Sequence, residues 1–248
     1  VLAHPLTVLY GESGTGKTSL IQAALEPKLA QEGYAVAYAR PIADPWQTVL
    51  DAIRSALPGA PADVQDWREL VSRGKTADKP FLLVLDQFEE LFIRQGAETR
   101  AQFFGALRDL LDGTVPQVRC LLALRGEYLA RLDELEPYVG QDPLRERMRL
   151  YNFGPQEARD AIAMPAHDFK IPLEPELLDR LVVDLQQDGI APAQLQIVCY
   201  VLWKDWNDRG APAEGITCGR YIGMGGTQTI LAEYLLAERC PILLSPVQ

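Results

Sequence analysis

The chain has only two histidines, His4 and His167, and its four cysteines, Cys120, Cys199, Cys218 and Cys240, show no metal-ligand spacing. That scarcity argues against a structural zinc site, and scattered thiols fit a reducing compartment. Basic residues are also short: 24 Lys and Arg against 34 Asp and Glu leave a formal charge of −10. A general nucleic-acid surface needs a basic face, so direct nucleic-acid binding by this chain is not expected. No apolar run approaches the ~20 residues of a membrane span. No signal-peptide pattern opens the sequence, so the expectation is a cytoplasmic protein with no membrane contact. An initiator methionine is missing as well. The chain begins at Val1, directly before its first strand-like run, and reads as a fragment of something longer. No internal repeats or low-complexity tracts are visible, so it is not itself a repeat array.

What remains is 248 residues with 48% hydrophobic content, enough for one large α/β domain and a small satellite. Near its start, Leu6-Thr7-Val8-Leu9-Tyr10 reads as a strand, and Leu20, Ile21, Ala24 and Leu25 follow at helical spacing. Between them, Gly11-Glu12-Ser13-Gly14-Thr15-Gly16-Lys17-Thr18 fits the phosphate-loop pattern G-x-x-x-x-G-K-[ST]. The spacing has a physical reason. Gly11 and Gly16 let the chain curl until successive N–H groups point inward as an anion nest, and the helix opening near Gly16 adds its dipole. Lys17 can then reach the β- and γ-phosphates, while the Thr18 hydroxyl can ligate Mg²⁺. The expected cradle runs from Gly11 through Ser19. The competing reading, a glycine-rich connector, has no use for the lysine or for the flanking strand and helix.

Further strand-like runs follow at Tyr34 to Arg40, Phe81 to Asp86, Val118 to Arg125 and Arg147 to Phe153, with helical patterns at about 45–57, 63–73, 97–112 and 126–134. FLLVL and CLLAL are apolar without a break, as expected of strands covered on both faces. Alternating strands and helices predict a parallel, doubly wound α/β sheet, whose chemistry belongs at the carboxyl ends of the strands. That rule selects Gly11, Asp86 and Arg125.

Asp86 ends an apolar strand, where a phosphate-loop protein holds its Mg²⁺. Glu89 and Glu90 follow at i+3 and i+4, and a helical turn after Asp86 would bring them back to its side. Either could orient and deprotonate an attacking water; as plain structure they would be a solvated, dipole-favoured helix start. Arg125 ends a buried strand and calls for an anionic partner. A γ-phosphate would serve, and so would the acidic loop after Asp86. Arg145, Arg147 and Arg149 read as a solvated strand face, with one of them available to a neighbouring subunit.

After residue 154 only helical sequence remains: GPQEARDAIAMPAHDF, EPELLDRLVVDLQQDG and PAQLQIVCYVLWKDW. Leu177, Leu181 and Leu185 share one face, as do Leu195, Val198, Cys199, Leu202 and Trp206. Cys199 reads as a small buried hydrophobe, and Trp203 and Trp206 as core or partner-facing aromatics. The GMGG run lacks both a preceding strand and a following lysine, so it is expected to be a turn before a helix near 227–239.

Taken together, GESGTGKTSL, LLVLDQFEELF, LLALRGEYLARL, NFGPQEARDAIAMPA and DGIAPAQLQIVCYVLW resemble the bacterial novel STAND NTPases. These stand beside NACHT and apoptotic-type ATPases among the signal-transduction ATPases with numerous domains. The resemblance covers roughly residues 5 to 235. It implies a sheet ordered 5-1-4-3-2, ATP or ADP with Mg²⁺ held by Thr18 and Asp86, and Lys17 on the phosphates. Asp86-Gln87-Phe88-Glu89-Glu90 resembles the D-G-x-D-E form, which favours Glu89 as the water-positioning acid. Arg125 matches the family's sensor arginine, and Pro192 the proline that lies against adenine. The implied organisation is a P-loop NTPase core at 1–154, a helical subdomain at 155–216 and, from YIGMGGTQTILAEYL, an incomplete winged-helix start at 217–248. LLAERCPILLSPVQ ends before such a domain is complete.

Proteins of this kind hold ADP when closed, exchange it for ATP on a signal, and oligomerise to activate a fused effector. Their sensor is commonly a C-terminal repeat array, and neither part is present here. The expected function is therefore a slow ATPase that works as a regulatory switch. Two rivals stand beside it. A nucleotide-bound scaffold would never turn over, and a P-loop small-molecule kinase would need an arginine-rich lid that the region 155–215 lacks. GTP is disfavoured because no N-K-x-D motif follows, and GKTAD at 74–78 has the wrong spacing.

Overall fold

The computed structural model describes residues 4–74, 79–140, 142–186 and 189–238. Most of GKTAD, Cys240 and the tail from Arg239 lie outside the described residues. The chain divides into two compact units, the first ending at Leu150 and the second beginning at Tyr151, a few residues before the boundary expected at 154/155.

In the first unit, β1 (Leu6–Gly11) leads through the phosphate loop into α1 (Lys17–Leu20). A π-helical turn, Ile21–Leu25, joins α1 to α2 (Glu26–Gln31). Next come β2 (Ala35–Ala39), α3 (Pro45–Ala56), α4 (Trp67–Gly74), β3 (Phe81–Leu85), α5 (Glu89–Arg94), α6 (Ala97–Leu111) and β4 (Val118–Arg125). The helical pattern expected at about 126–134 is a 3₁₀ helix, Gly126–Glu134, and α7 (Glu136–Val139) and β5 (Arg147–Arg149) complete the unit. The strands pair in parallel in the order β2-β3-β4-β1-β5, which is the implied 5-1-4-3-2 order read from the other edge.

Both faces of this sheet are covered, which explains the unbroken apolar strands. Phe81, Leu83 and Leu85 of β3 pack with Val49, Ile53, Leu70, Phe103 and Leu107 from the helices, while Leu82 and Val84 pack on the other side with Ile21 and Leu29. All five β3 residues are fully buried. Each unexposed side chain of Leu or Phe size contributes roughly 1.5–3 kcal/mol relative to its exposed state, so the central strands anchor whatever is attached to their ends. Helix starts are marked locally. Asp44 accepts a hydrogen bond from Gln47 N at 2.9 Å to cap α3, and Pro45 takes the first helical position.

β5 is shorter than its sequence pattern, because Phe153 leaves the sheet. In the second unit Phe153 pairs with Ile190, each backbone N–H donating to the other's carbonyl at 2.9 Å. All three β5 residues are exposed, as expected of an arginine-bearing edge.

The second unit holds α8 (Pro155–Asp168), α9 (Pro175–Leu185), α10 (Pro192–Asp208), α11 (Cys218–Gly223) and α12 (Gly226–Glu238). The first three of these open on proline, whose fixed φ and missing N–H suit that position. Leu177, Leu181, Leu185, Leu195, Val198 and Leu202 form its core together with Tyr221 and Ile230, so α11 and α12 share a core with the helices before them. Cys199 packs against this core, where burial pushes its thiol up to about 11. Trp206 is half-buried and donates to Pro212 O, whereas Trp203 is exposed. Within the GMGG run Met224 and Gly225 form the turn, while Gly223 closes α11 and Gly226 opens α12.

Candidate nucleotide site

The strand register brings the predicted groups to one edge of the sheet. Gly11 at the end of β1 lies opposite Arg125 at the end of β4, and Ala39 at the end of β2 lies opposite Leu85, one residue before Asp86. Since β2 and β5 lie on opposite sides of β1, this edge is also where the strand order switches direction.

In the loop itself, Gly16 adopts φ 86°, a left-handed conformation that glycine takes without strain, and caps α1. Gly11 is required for space. A Cβ there would sit 2.4 Å from Leu150 O and 3.0 Å from Thr15 Oγ1. Gly11→Ala should therefore destabilise the first unit by roughly 1–3 kcal/mol, as overpacking does in a filled core. A denaturant midpoint equal to wild type would show that the backbone at Leu150 yields freely. Thr15 is buried and its hydroxyl donates to Glu12 O at 2.9 Å, tying the loop to itself. Glu12, Ser13, Gly14 and Ser19 are exposed.

Lys17 folds back over the loop, its ammonium donating to Gly11 O at 2.9 Å and Glu12 O at 2.8 Å. Burial lowers its pKa, a pull opposed by the nearby Glu89 and Asp86 carboxylates and reinforced by Arg125. Those two carbonyls hold the ammonium where a phosphate above the loop would meet it.

Asp86 is 1% exposed and is the meeting point of three elements. Thr18 Oγ1 donates to its Oδ2 at 2.7 Å and Tyr38 Oη donates to the same oxygen at 2.6 Å. Arg40 Nε donates to Tyr38 Oη at 2.9 Å and lies 3.4 Å from Oδ2. Burial, and next the bond to the Asp86 carboxylate, push the Tyr38 hydroxyl up to about 12. Thr18 and Asp86 suit a divalent cation. A hydroxyl has one hydrogen and two lone pairs, so with its hydrogen committed to Asp86 the Thr18 oxygen keeps lone pairs for a metal. Among the described residues no three His, Cys, Asp or Glu side chains gather to hold a metal. The pair would hold such an ion only in company with phosphate oxygens and water, as Mg²⁺ sites usually do.

The two acids after Asp86 part company. Glu89 is buried, with Oε1 3.1 Å from Arg125 Nε and Oε2 accepting from Arg125 N at 3.3 Å. Glu90 pairs with Arg94 one turn along α5. The anionic partner of Arg125 in this structure is thus the acidic turn after Asp86. Gln87 in that turn has φ 55°, a left-handed conformation uncommon for a residue with a side chain. The D-G-x-D-E form has glycine at this place, which explains why that form suits the turn.

Beside the loop opens a cleft of about 740 Å³, bounded by Tyr10, Gly11, Ser13, Arg125, Glu127 and Arg149. Its size falls in the range of small-molecule sites. Pro192 belongs to the second unit, where it opens α10. The sequence motifs do not single out Tyr38 and Arg40, although one signal points to them. The strand-end rule that picked Gly11, Asp86 and Arg125 applies equally to the YAR that ends the second strand.

A family model, Novel STAND NTPase 1, matches residues 1–240. The chain belongs to that family. This STAND NTPase is accordingly a nucleotide-binding NTPase module. No match is found among curated proteins. Solved structures resemble its fold. The ORC2 protein of Aeropyrum pernix, in ADPNP–ADP complexes, is 19% identical with a TM-score of 0.66, covering 92% of this chain and 62% of that one. Cdc6p from Pyrobaculum aerophilum is 16% identical, with a TM-score of 0.64 and coverage of 86% and 58%. Domain III of the Thermotoga maritima replication initiation protein DnaA is 13% identical, with a TM-score of 0.61 and coverage of 94% and 85%. At such identities the likeness is one of fold. The STAND chain spans 62% and 59% of two Aeropyrum pernix ORC2 chains. No helix among the described residues is long and apolar enough to cross a membrane.

Proposed function

We propose that this chain is the ATP/ADP-driven switch module of a longer signalling ATPase, with slow hydrolysis. The observation that carries the reading is the 2.7 Å contact between Thr18 and Asp86, which joins the phosphate loop to the acidic strand end as a cation–phosphate site requires. Gly11, Glu12, Ser13, Gly14, Thr15, Gly16, Lys17, Thr18 and Ser19 would cradle the phosphates. Thr18 and Asp86 would hold Mg²⁺, which when bound neutralises charge on the β- and γ-phosphates. Pro192 is assigned to the adenine on the family resemblance alone.

Hydrolysis needs a base for water, and Glu89 is our choice because it is buried at the loop while Glu90 is taken up by Arg94. Glu89 lies against Arg125, with Oε2 accepting from its backbone N–H and Oε1 3.1 Å from its guanidinium Nε. A γ-phosphate would compete for the guanidinium and release the carboxylate to take a proton from water. Coupling the base to the arrival of the third phosphate suits a switch better than a fast enzyme. Oligomerisation in the ATP state and activation of a fused effector through a C-terminal sensor belong to this proposal. So do a cytoplasmic location and the absence of direct nucleic-acid contact, the latter supported by the net charge of −10.

Lys17→Ala tests nucleotide binding directly. It removes a charged donor worth roughly 1.5–3 kcal/mol, so affinity for ADP and ATP should fall about tenfold to a hundredfold. Calorimetry showing unchanged affinities would end the phosphate-loop reading. Chromatography of denatured protein should release ADP or ATP rather than a guanine nucleotide. A scaffold that never hydrolyses would bind both nucleotides and release no phosphate.

A further inference from the structure

Tyr38 and Arg40 lie two residues apart at the end of β2 and leave it on the same side. Their hydrogen bonds have a fixed direction. A guanidinium carries donors only, so Arg40 Nε gives its hydrogen to the phenol oxygen across 2.9 Å. The phenol's own hydrogen must then point elsewhere, and Asp86 Oδ2 accepts it at 2.6 Å. Thr18 donates to that same oxygen from 2.7 Å. Both hydroxyls, and the closest approach of Arg40, converge on Oδ2, which leaves Oδ1 as the oxygen to serve a metal or its water.

We propose that Tyr38 is a positioning residue of the cation site. Its hydroxyl holds the Asp86 carboxylate in the orientation that a nucleotide-bound divalent cation meets, and Arg40 sets the direction of that hydroxyl. The inference rests on the nucleotide reading above and adds a residue to it. Carboxylates that serve metals are themselves oriented by hydrogen bonds, and losing such an outer partner costs about 10–100-fold in metal affinity. The Tyr38 ring packs against the core that contains Leu82 and Val84. Phenylalanine can keep that packing and lose only the hydroxyl.

The test uses the full chain and a fluorescent ADP analogue, titrated with Mg²⁺ and, separately, in EDTA. In Tyr38→Phe the half-saturating Mg²⁺ concentration should rise about tenfold, with affinity in EDTA within about twofold of wild type. A wild-type Mg²⁺ response in the variant overturns the proposal. Loss of binding in EDTA overturns it equally, because a hydroxyl required for the fold is structural rather than positioning. Wild-type protein that binds no ADP at all would remove the nucleotide reading first and this inference with it.

Discussion

Glu89→Gln should leave ATP binding close to wild type and lower phosphate release by about 10²–10⁴, the usual contribution of a positioned general base. The substitution keeps the volume of a buried side chain and one oxygen able to accept from Arg125, so the turn after β3 should hold its shape. What it removes is the basicity and the charge. Loss of that charge also loosens the pair with Arg125, whose Nε lies 3.1 Å from Glu89 Oε1, so ATP affinity should stay level or rise. Glu90→Gln is the control. Its carboxylate is engaged with Arg94 on the surface of α5, and the same assay should find turnover little changed. A larger effect at Glu90 than at Glu89 would reverse the assignment.

Arg125→Ala should weaken ATP binding and leave ADP binding almost untouched. A unit-charge pair at about 4 Å and an effective dielectric near 20 is worth roughly 4 kcal/mol before desolvation. The structure shows why the net value should be smaller. Arg125 already has an anion in Glu89, so a γ-phosphate would exchange one partner for another rather than satisfy a free cation. A preference of about 1–3 kcal/mol, or some 5- to 150-fold in affinity, is the expected coupling. A ligand contact made in only one nucleotide state is what shifts a conformational equilibrium, since equal contacts shift nothing. In a longer protein the variant should also reduce ATP-dependent assembly. Titrating both nucleotides against wild type and variant decides the matter. Equal loss for ADP and ATP would make Arg125 a structural partner of Glu89 alone.

Local chemistry was legible in the amino-acid order. Gly11 to Thr18 declared a phosphate loop because the glycines and Lys17 act within one turn of chain. The apolar β3 and β4 declared a sheet covered on both faces for the same kind of reason, since side-chain alternation and burial are read over a few residues. The strand pattern at the edge runs past the strand itself, because Phe153 carries the same apolar signal whether it pairs in the sheet or with Ile190. The strand order came from family resemblance, which periodicity alone does not supply.

The tertiary structure decided the pairings. Tyr38 reaches Asp86 across 48 positions of sequence, Thr18 reaches it across 68, and Glu89 meets Arg125 across 36. The motifs named Thr18, Asp86, Glu89 and Arg125 singly, but spacing along the chain left Glu89 equal to Glu90 and gave Arg125 two possible anions. Parallel strands separated by whole helices set their partners through register, and register depends on how both faces of the sheet pack. That is why the sequence by itself determined which chemical groups this protein carries, while only the folded sheet determined which of them touch.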